Sequence, residues 1–444
     1  MREWAQCSGS TRRPEAGGVA PGGIQPTPLP EIDGMIRPSH IRLPRFGPCL
    51  GPPSRGRVFA LDGLRGWASL SVVCFHLLWE TFGEVDPSIR NGVTAFLLDG
   101  SLAVSIFFVL SGEALSSSYF SGGGRRSVLD LAVRRYPRLV IPVLAVSVVT
   151  FAITALDLNS NVPAGRIVGR PDWLGSWIDF APSVSGLIRF ALLDVFTDIA
   201  PAQSLVPFLW TMRLELIGSA LTFAILILCH GRRYGWHAVL IGLALMMTLY
   251  VLGRSVLFGN LSCFVVGMIC AKLRFDGVFD AARTGERAFY LSSGAIVALL
   301  AIDGALHSRG FGSLRCPLFA MVLVVLFSCN SLAERAMTTR LSRYLGRISF
   351  PLFLVQFPVI ISLTSWMIVA NERTGSKAPN GVIFLLSLLA CLVMAELFMP
   401  VERFTARFCR FLSRRVFPAY ASVTAGRRGV VGPGSKPGRE HAPH

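Results

Sequence analysis

Arg65 and His76 stand eleven residues apart in an otherwise apolar run that begins at Leu61. Eleven helical residues turn through about three full turns and rise roughly 16 Å, so a helix places both side chains on one face at two depths. Ionisable groups inside a bilayer are costly and face a protein interior or a water-filled cavity. A guanidinium near the helix mouth with an imidazole deeper on the same face outlines a polar track to a reaction centre, the imidazole serving as general base. The plainer alternative is a snorkelling arginine and a histidine satisfied by a neighbouring helix. Glu215 adds a carboxylate within a further apolar run, five residues after Trp210. Buried, it needs a partner. Arg213 does not share its face, so His76 is the partner expected, with a structural Glu–Arg pair as the alternative.

Arg134, Arg135 and Arg138 cluster around Tyr136 and Pro137, just ahead of another apolar run. Guanidinium forks match phosphate geometry bidentately, although arginines in such loops also act as topology signals. The sequence holds no glycine-rich phosphate loop, which argues against a nucleotide hydrolase; a diphosphate carried by a larger donor such as coenzyme A stays open. No His or Cys spacing suits a metal. The ten cysteines lie mostly in apolar runs and offer no disulfide framework.

The elements that must position these groups are membrane helices. The chain of 444 residues is 52% hydrophobic and 16% charged, with a mean hydropathy of +0.55. Soluble domains do not carry apolar runs of this length, whereas polytopic membrane proteins must. The reading is all-α, with ten spans at about 61–82, 94–116, 136–156, 205–229, 236–253, 256–271, 288–306, 314–332, 348–370 and 381–401. The net charge of +17 is almost all arginine, and most of it falls in alternate connecting segments. The positive-inside rule then puts both termini in the cytoplasm. A basic charge confined to membrane loops, with no nucleic-acid-binding fingerprint, argues against nucleic acid as partner. Residues 1–57 and 418–444 read as disordered, residues 58–402 as the membrane domain, and 403–417 as a cationic amphipathic helix lying in the inner headgroup layer. The long outer loop Asp157–Ser204 carries Trp173 and Trp177 among several Asp, a composition suited to sugar recognition or to an aromatic belt.

Taken in order along the chain, several segments resemble the integral-membrane acyltransferase family 3, whose members O-acylate cell-surface glycans. They are Leu61-Asp62-Gly63-Leu64-Arg65-Gly66 followed by His76, Phe107-Phe108-Val109-Leu110-Ser111-Gly112, Arg134-Arg135-Tyr136-Pro137-Arg138-Leu139 with Pro142, Trp210 with Glu215, Gly346-Arg347-Ile348-Ser349-Phe350, and Pro400-Val401-Glu402-Arg403. The resemblance implies a membrane-bound transfer of an acyl group, most simply acetyl, from cytoplasmic acyl-CoA to a hydroxyl of a glycan or glycolipid, in a bacterial inner membrane and without a permanently bound cofactor. It assigns His76, Arg65 and Glu215 to catalysis, Arg134, Arg135 and Arg138 to the donor, and Asp62, Ser111, Tyr136, Trp210 and Gln356 to supporting roles.

The chain departs from the family where Phe353 and Gln356 replace a commoner Tyr and His, which removes proton transfer from the ninth span but leaves hydrogen bonding. Glu113, where an apolar residue is usual, is expected to face Arg65, Arg138 or water. Two other classes compete: a secondary transporter, which lacks support from any repeat between the halves, and a non-catalytic membrane scaffold.

Overall fold

The computed structural model describes residues 55–197, 204–232, 235–283, 285–308, 313–375 and 379–417, and among these there is helix and turn but no strand. The readings of disorder for 1–57 and 418–444 fall almost wholly outside the described residues. Ten long helices carry the fold: α1 (Arg55–Cys74), α2 (Gly100–Ser118), α3 (Gly124–Ala155), α4 (Thr211–Leu228), α5 (Gly235–Gly253), α6 (Val256–Phe275), α7 (Glu286–Ser308), α8 (Cys316–Cys329), α9 (Arg340–Val359) and α10 (Asn380–Val416). Each of the ten predicted spans overlaps one of them, the span at 348–370 running on from α9 through Ile360–Thr364 into the helix Ser365–Thr374.

By length and apolar composition alone, seven helical stretches among the described residues can cross a membrane, or eight when α8 is joined to Ser331–Met337, which meets it at 97°. One of the seven, Gly92–Ala155, contains both α2 and α3. These two helices are separated at Gly122, whose φ of +91° is a conformation open to glycine and strained for other residues.

Close approach between particular helices sets the architecture. α1 and α9 run side by side in the same direction: Gly66 faces Gly346, Ser69 Oγ donates to Ser349 O (2.7 Å), and His76 meets Gln356. A Cβ added at Gly66 would lie 2.4 Å from the backbone nitrogen of Gly346, so the seam exists because neither residue has a side chain. Small residues play this part in membrane proteins because lipid supplies no hydrophobic drive for helix association. α2 and α6 are likewise parallel, with Gly267 against the Val109 carbonyl and Arg274 paired with Glu113. α3 and α10 are antiparallel, joined by Arg138–Glu402 and, further along, by Ser413 Oγ donating to Asp130.

Two expectations change here. Glu113 is fully buried and pairs with Arg274 at 2.5 Å, rather than facing Arg65, Arg138 or water; the face of α2 that carries it is the one packed on α6. The stretch 403–417 is no separate helix but the continuation of α10 through Pro400. Thr405 and Cys409 on it are buried, with the Cys409 thiol directed at Arg134 O, while Phe404, Phe408 and Phe411 are exposed.

Substituting Gly66 by Leu is expected to destabilise the protein by about 3 kcal/mol, because the atoms it would meet are backbone and cannot turn aside. Gly242→Ala, with nothing within 4 Å of its Cβ position, is the control, and thermal unfolding in detergent should show a loss only for the first.

Candidate active site

The charged residues picked out by the sequence converge on a cavity of about 150 Å³ walled by α1, α2, α3, α4 and α9. Arg65, Ser111, Arg135, Arg138 and Glu215 supply its polar wall, and Phe107, Phe108, Phe350 and Phe353 much of its apolar one. Glu215 accepts from Ser111 Oγ (2.6 Å) and, at the same carboxylate oxygen, from Arg135. Arg135 Nε also donates to Ser219 Oγ (2.7 Å), one turn along α4. Arg138 pairs with Glu402 at 2.9 Å. Arg65 differs from these: Asp62 and Glu215 lie within its electrostatic reach, yet no carboxylate stands at salt-bridge distance among the described residues. Its guanidinium opens onto the cavity, free to meet an anion or a carbonyl.

Glu215 therefore pairs with Arg135 and not with His76. The reason is depth: Glu215 sits at the level of Ser111 and Arg135, whereas His76 lies three turns along α1 from Arg65. Arg134 points the other way, held by Asp130 one turn back on α3 and facing α10. Of the three arginines expected at the donor, two line the cavity and one does not.

His76 is outside the lining of this cavity and lies packed among aromatic rings. It sits where α1 widens into a π-helical turn, Phe75–Glu80, an irregularity that often marks functional sites. Its ring stacks on Phe208 (3.9 Å between centroids, 9° between planes), with Phe75 at 5.2 Å and Trp173 at 6.2 Å. Nδ1 lies 3.0 Å from Gln356 Oε1, and Gln356 is fully buried. Phe353, one turn before Gln356, belongs to the cavity wall, so one stretch of α9 borders both the arginine cavity and the imidazole.

The described part of the segment, 157–197, folds over His76 instead of standing clear as a loop. It contains the helices Asn161–Ile167 and Val184–Leu192. Trp177 is only 6% exposed and packs on Trp173, Phe208 and Phe357. It is thus neither an aromatic belt nor an open sugar platform. Arg170 fastens the segment down, pairing with Glu80 (2.7 Å) and lying over the Trp173 ring. Tyr136 is tied to the same segment, its hydroxyl donating to Leu192 O (2.6 Å). Trp210 is half exposed and, with Arg213, borders a second cavity rather than the arginine one.

Sequence reasoning overlooked one buried network. Asp99 caps α2 by accepting from Leu102 N (2.8 Å), pairs with Arg315, and lies 3.0 Å from His307, while Arg315 also binds Asp303 (2.9 Å). The signal was present, since acidic residues in apolar runs call for partners. His307 packs on Trp79 and near Phe75, so the network braces the turn that carries His76.

A family model described as an acyltransferase domain, that of acyltransferase family 3, matches residues 58–400. An O-acetyltransferase of Phomopsis amygdali, PaAT-1, is 25% identical over 394 residues, covering 74% of this chain and 76% of the relative. The acyltransferase MdmB of Streptomyces mycarofaciens is 29% identical over 143 residues, covering 30% of this chain and 35% of the relative. No solved structure matches. The chain belongs to the acyltransferase family 3 and, with its apolar helices, is an integral membrane acyltransferase.

Removing one member of a buried pair strands the other charge. Glu215→Ala and Arg135→Ala are each expected to cost about 3–5 kcal/mol, and the Glu215→Leu/Arg135→Met double variant markedly less than their sum. A double-mutant cycle on thermal unfolding in detergent measures this coupling.

Proposed function

We propose that the protein transfers an acetyl group from cytoplasmic acetyl-CoA to a hydroxyl of an exported or cell-surface glycan, with His76 as general base. The observation that carries the reading is the cavity lined by Arg65, Arg135 and Arg138, with His76 eleven residues beyond Arg65 on the same helical run, a rise of about 16 Å along its axis. Guanidinium forks suit a diphosphate, and an extended pantetheine arm bridges a gap of that size. Arg138 and Arg135 belong to the diphosphate in this reading, and Arg65 to the near end of the pantetheine arm. Arg134, engaged with Asp130, contributes to the basic approach. The name of the Phomopsis amygdali relative, an O-acetyltransferase, supports acetyl as the group moved.

The chemistry needs no metal. The imidazole takes the acceptor's proton as the oxygen attacks the thioester carbonyl. The carbon–sulfur bond breaks, and the thiolate leaves with the proton from the imidazolium. Glu215 acts one step removed, fixing Arg135 at the cavity. Phe208, Trp173 and Trp177 exclude water from the imidazole.

The same proposal fixes the topology. Ten crossings in a bacterial cytoplasmic membrane, with both termini inside, are supported by the parallel pairing of α1 with α9 and of α2 with α6, as strict alternation requires. They are supported too by the arginine-rich alternate connections. The segment 157–204 then lies outside, where an acceptor arrives.

His76→Ala should leave a folded, inserted protein whose transfer rate is lower by about 10²–10⁴-fold, the share of a positioned general base. Arg138→Gln should raise the KM for acetyl-CoA with little change in kcat, as loss of a ground-state contact does; transfer from [¹⁴C]acetyl-CoA to envelope glycans reads both. Retained turnover in His76→Ala would move the chemistry elsewhere. A cysteine placed near Ser185 should label with an impermeant thiol reagent in spheroplasts, and one near Gly277 only after permeabilisation. The reverse pattern would remove the topological basis for glycan acetylation.

A further inference from the structure

We infer that Gln356 is a positioning residue that holds His76 in the Nδ1–H tautomer, leaving Nε2 as the nitrogen that takes the acceptor's proton. The inference rests on the reading of His76 as base and goes beyond it by fixing which nitrogen works and what fixes it.

The argument is one of donors and acceptors. The Gln356 amide is fully buried and touches two groups: its nitrogen donates to the Phe353 carbonyl (2.9 Å), and its oxygen lies 3.0 Å from His76 Nδ1. A backbone carbonyl only accepts, so it demands the NH₂ end of the amide. The flipped amide would set two oxygens against each other, and that orientation is closed. With Oε1 facing His76, Nδ1 must be the donor, because an amide oxygen cannot donate. The neutral imidazole then carries its lone pair on Nε2. Among the described residues Nε2 has no hydrogen-bond partner, and it is not sealed off as an orphaned buried atom.

Three further features hold this arrangement. The Gly66–Gly346 seam keeps α1 and α9 in register, so residue 356 recurs opposite residue 76. Phe208, stacked on the ring at 3.9 Å, sets its plane. Thr81 Oγ1 donates to the His76 carbonyl (2.7 Å) and steadies the π-helical turn. When Nε2 takes the hydroxyl proton, the imidazolium keeps its Nδ1–H bond to the amide oxygen, and the amide neither gains nor loses a proton. The proton leaves by Nε2 to the departing thiolate, which closes the cycle without a relay through α9.

The test compares Gln356→Met, similar in length but without a strong acceptor, with Gln356→Glu, which restores an oxygen opposite Nδ1. In detergent-solubilised protein labelled with ¹⁵N-histidine, the His76 signals are those absent from His76→Ala. The wild type and Gln356→Glu should show a protonated Nδ1, whereas Gln356→Met should show the Nε2–H form in substantial proportion. With [¹⁴C]acetyl-CoA and envelope glycans, Gln356→Met should lose on the order of 10- to 100-fold in kcat, part of what a positioned base supplies, at unchanged KM for acetyl-CoA, and Gln356→Glu should recover most of it. An Nε2–H signal in the wild type overturns the inference, as does a Gln356→Met variant that keeps its kcat or its tautomer. Turnover retained in His76→Ala instead overturns the reading of His76 as base, whatever the Gln356 variants do.

Discussion

The parallel contact between α1 and α9 governs the site more than any charge does. Two glycines, Gly66 and Gly346, let the backbones approach until a single Cβ would collide, and that approach locks the register of one helix against the other. Once Gly66 lies beside Gly346, Ser69 reaches Ser349 O and His76 reaches Gln356 with no further adjustment. Both contacts repeat one spacing along two helices of equal rise. An imidazole in an apolar bundle needs a partner at a fixed place, and here the backbone seam supplies the place while α9 supplies the partner.

The second constraint is the cost of charge in a low dielectric. Most cations at the cavity level are matched: Arg135 by Glu215, Arg138 by Glu402, Arg134 by Asp130, and Arg274 by Glu113. Each pair joins two elements or stiffens one, so the charges act as fasteners between α2, α3, α4, α6 and α10. Arg65 has only longer-range attraction from Asp62 and Glu215. A guanidinium held at a cavity without a close counter-ion gains most from an incoming anion or polarised carbonyl. Arg135 and Arg138 thus both fasten helices and line the cavity, whereas Arg65 lines it without a close carboxylate.

The long helices were legible in the sequence, because apolar runs of bilayer length admit few other structures. So was the candidate cavity: Arg65, Arg135, Arg138 and Glu215 were picked out from residue type and setting, Ser111 through the family resemblance, and the five do meet. Pairing was not legible. Glu215 was matched to His76 because a carboxylate behind an imidazole is a familiar arrangement, but which residues share a level depends on helix tilt and register, and no local pattern encodes these. Glu113 shows the same limit, since its partner Arg274 is 161 positions away. The covering of His76 by 157–197 was hidden for another reason. Trp177 reads alike in sequence whether it meets lipid, sugar or other rings, and the fold packs it on Trp173, Phe208 and Phe357.

The arginine cavity and the aromatic surroundings of His76 are set apart along α1. Under the proposed reading this matters, because arginines that attract a charged donor also hold water, and water near a thioester competes with an acceptor for acyl transfer. Here the guanidinium groups line one cavity, and the imidazole lies three turns further along α1 among Phe75, Phe208, Trp173 and Trp177. Phe353, whose carbonyl binds the Gln356 amide, also walls the arginine cavity. α9 therefore borders the cavity through Phe353 and contacts His76 through Gln356 within a single turn. An uncharged amide suits that position, since it meets the imidazole without adding a second titrating group beside the cavity wall.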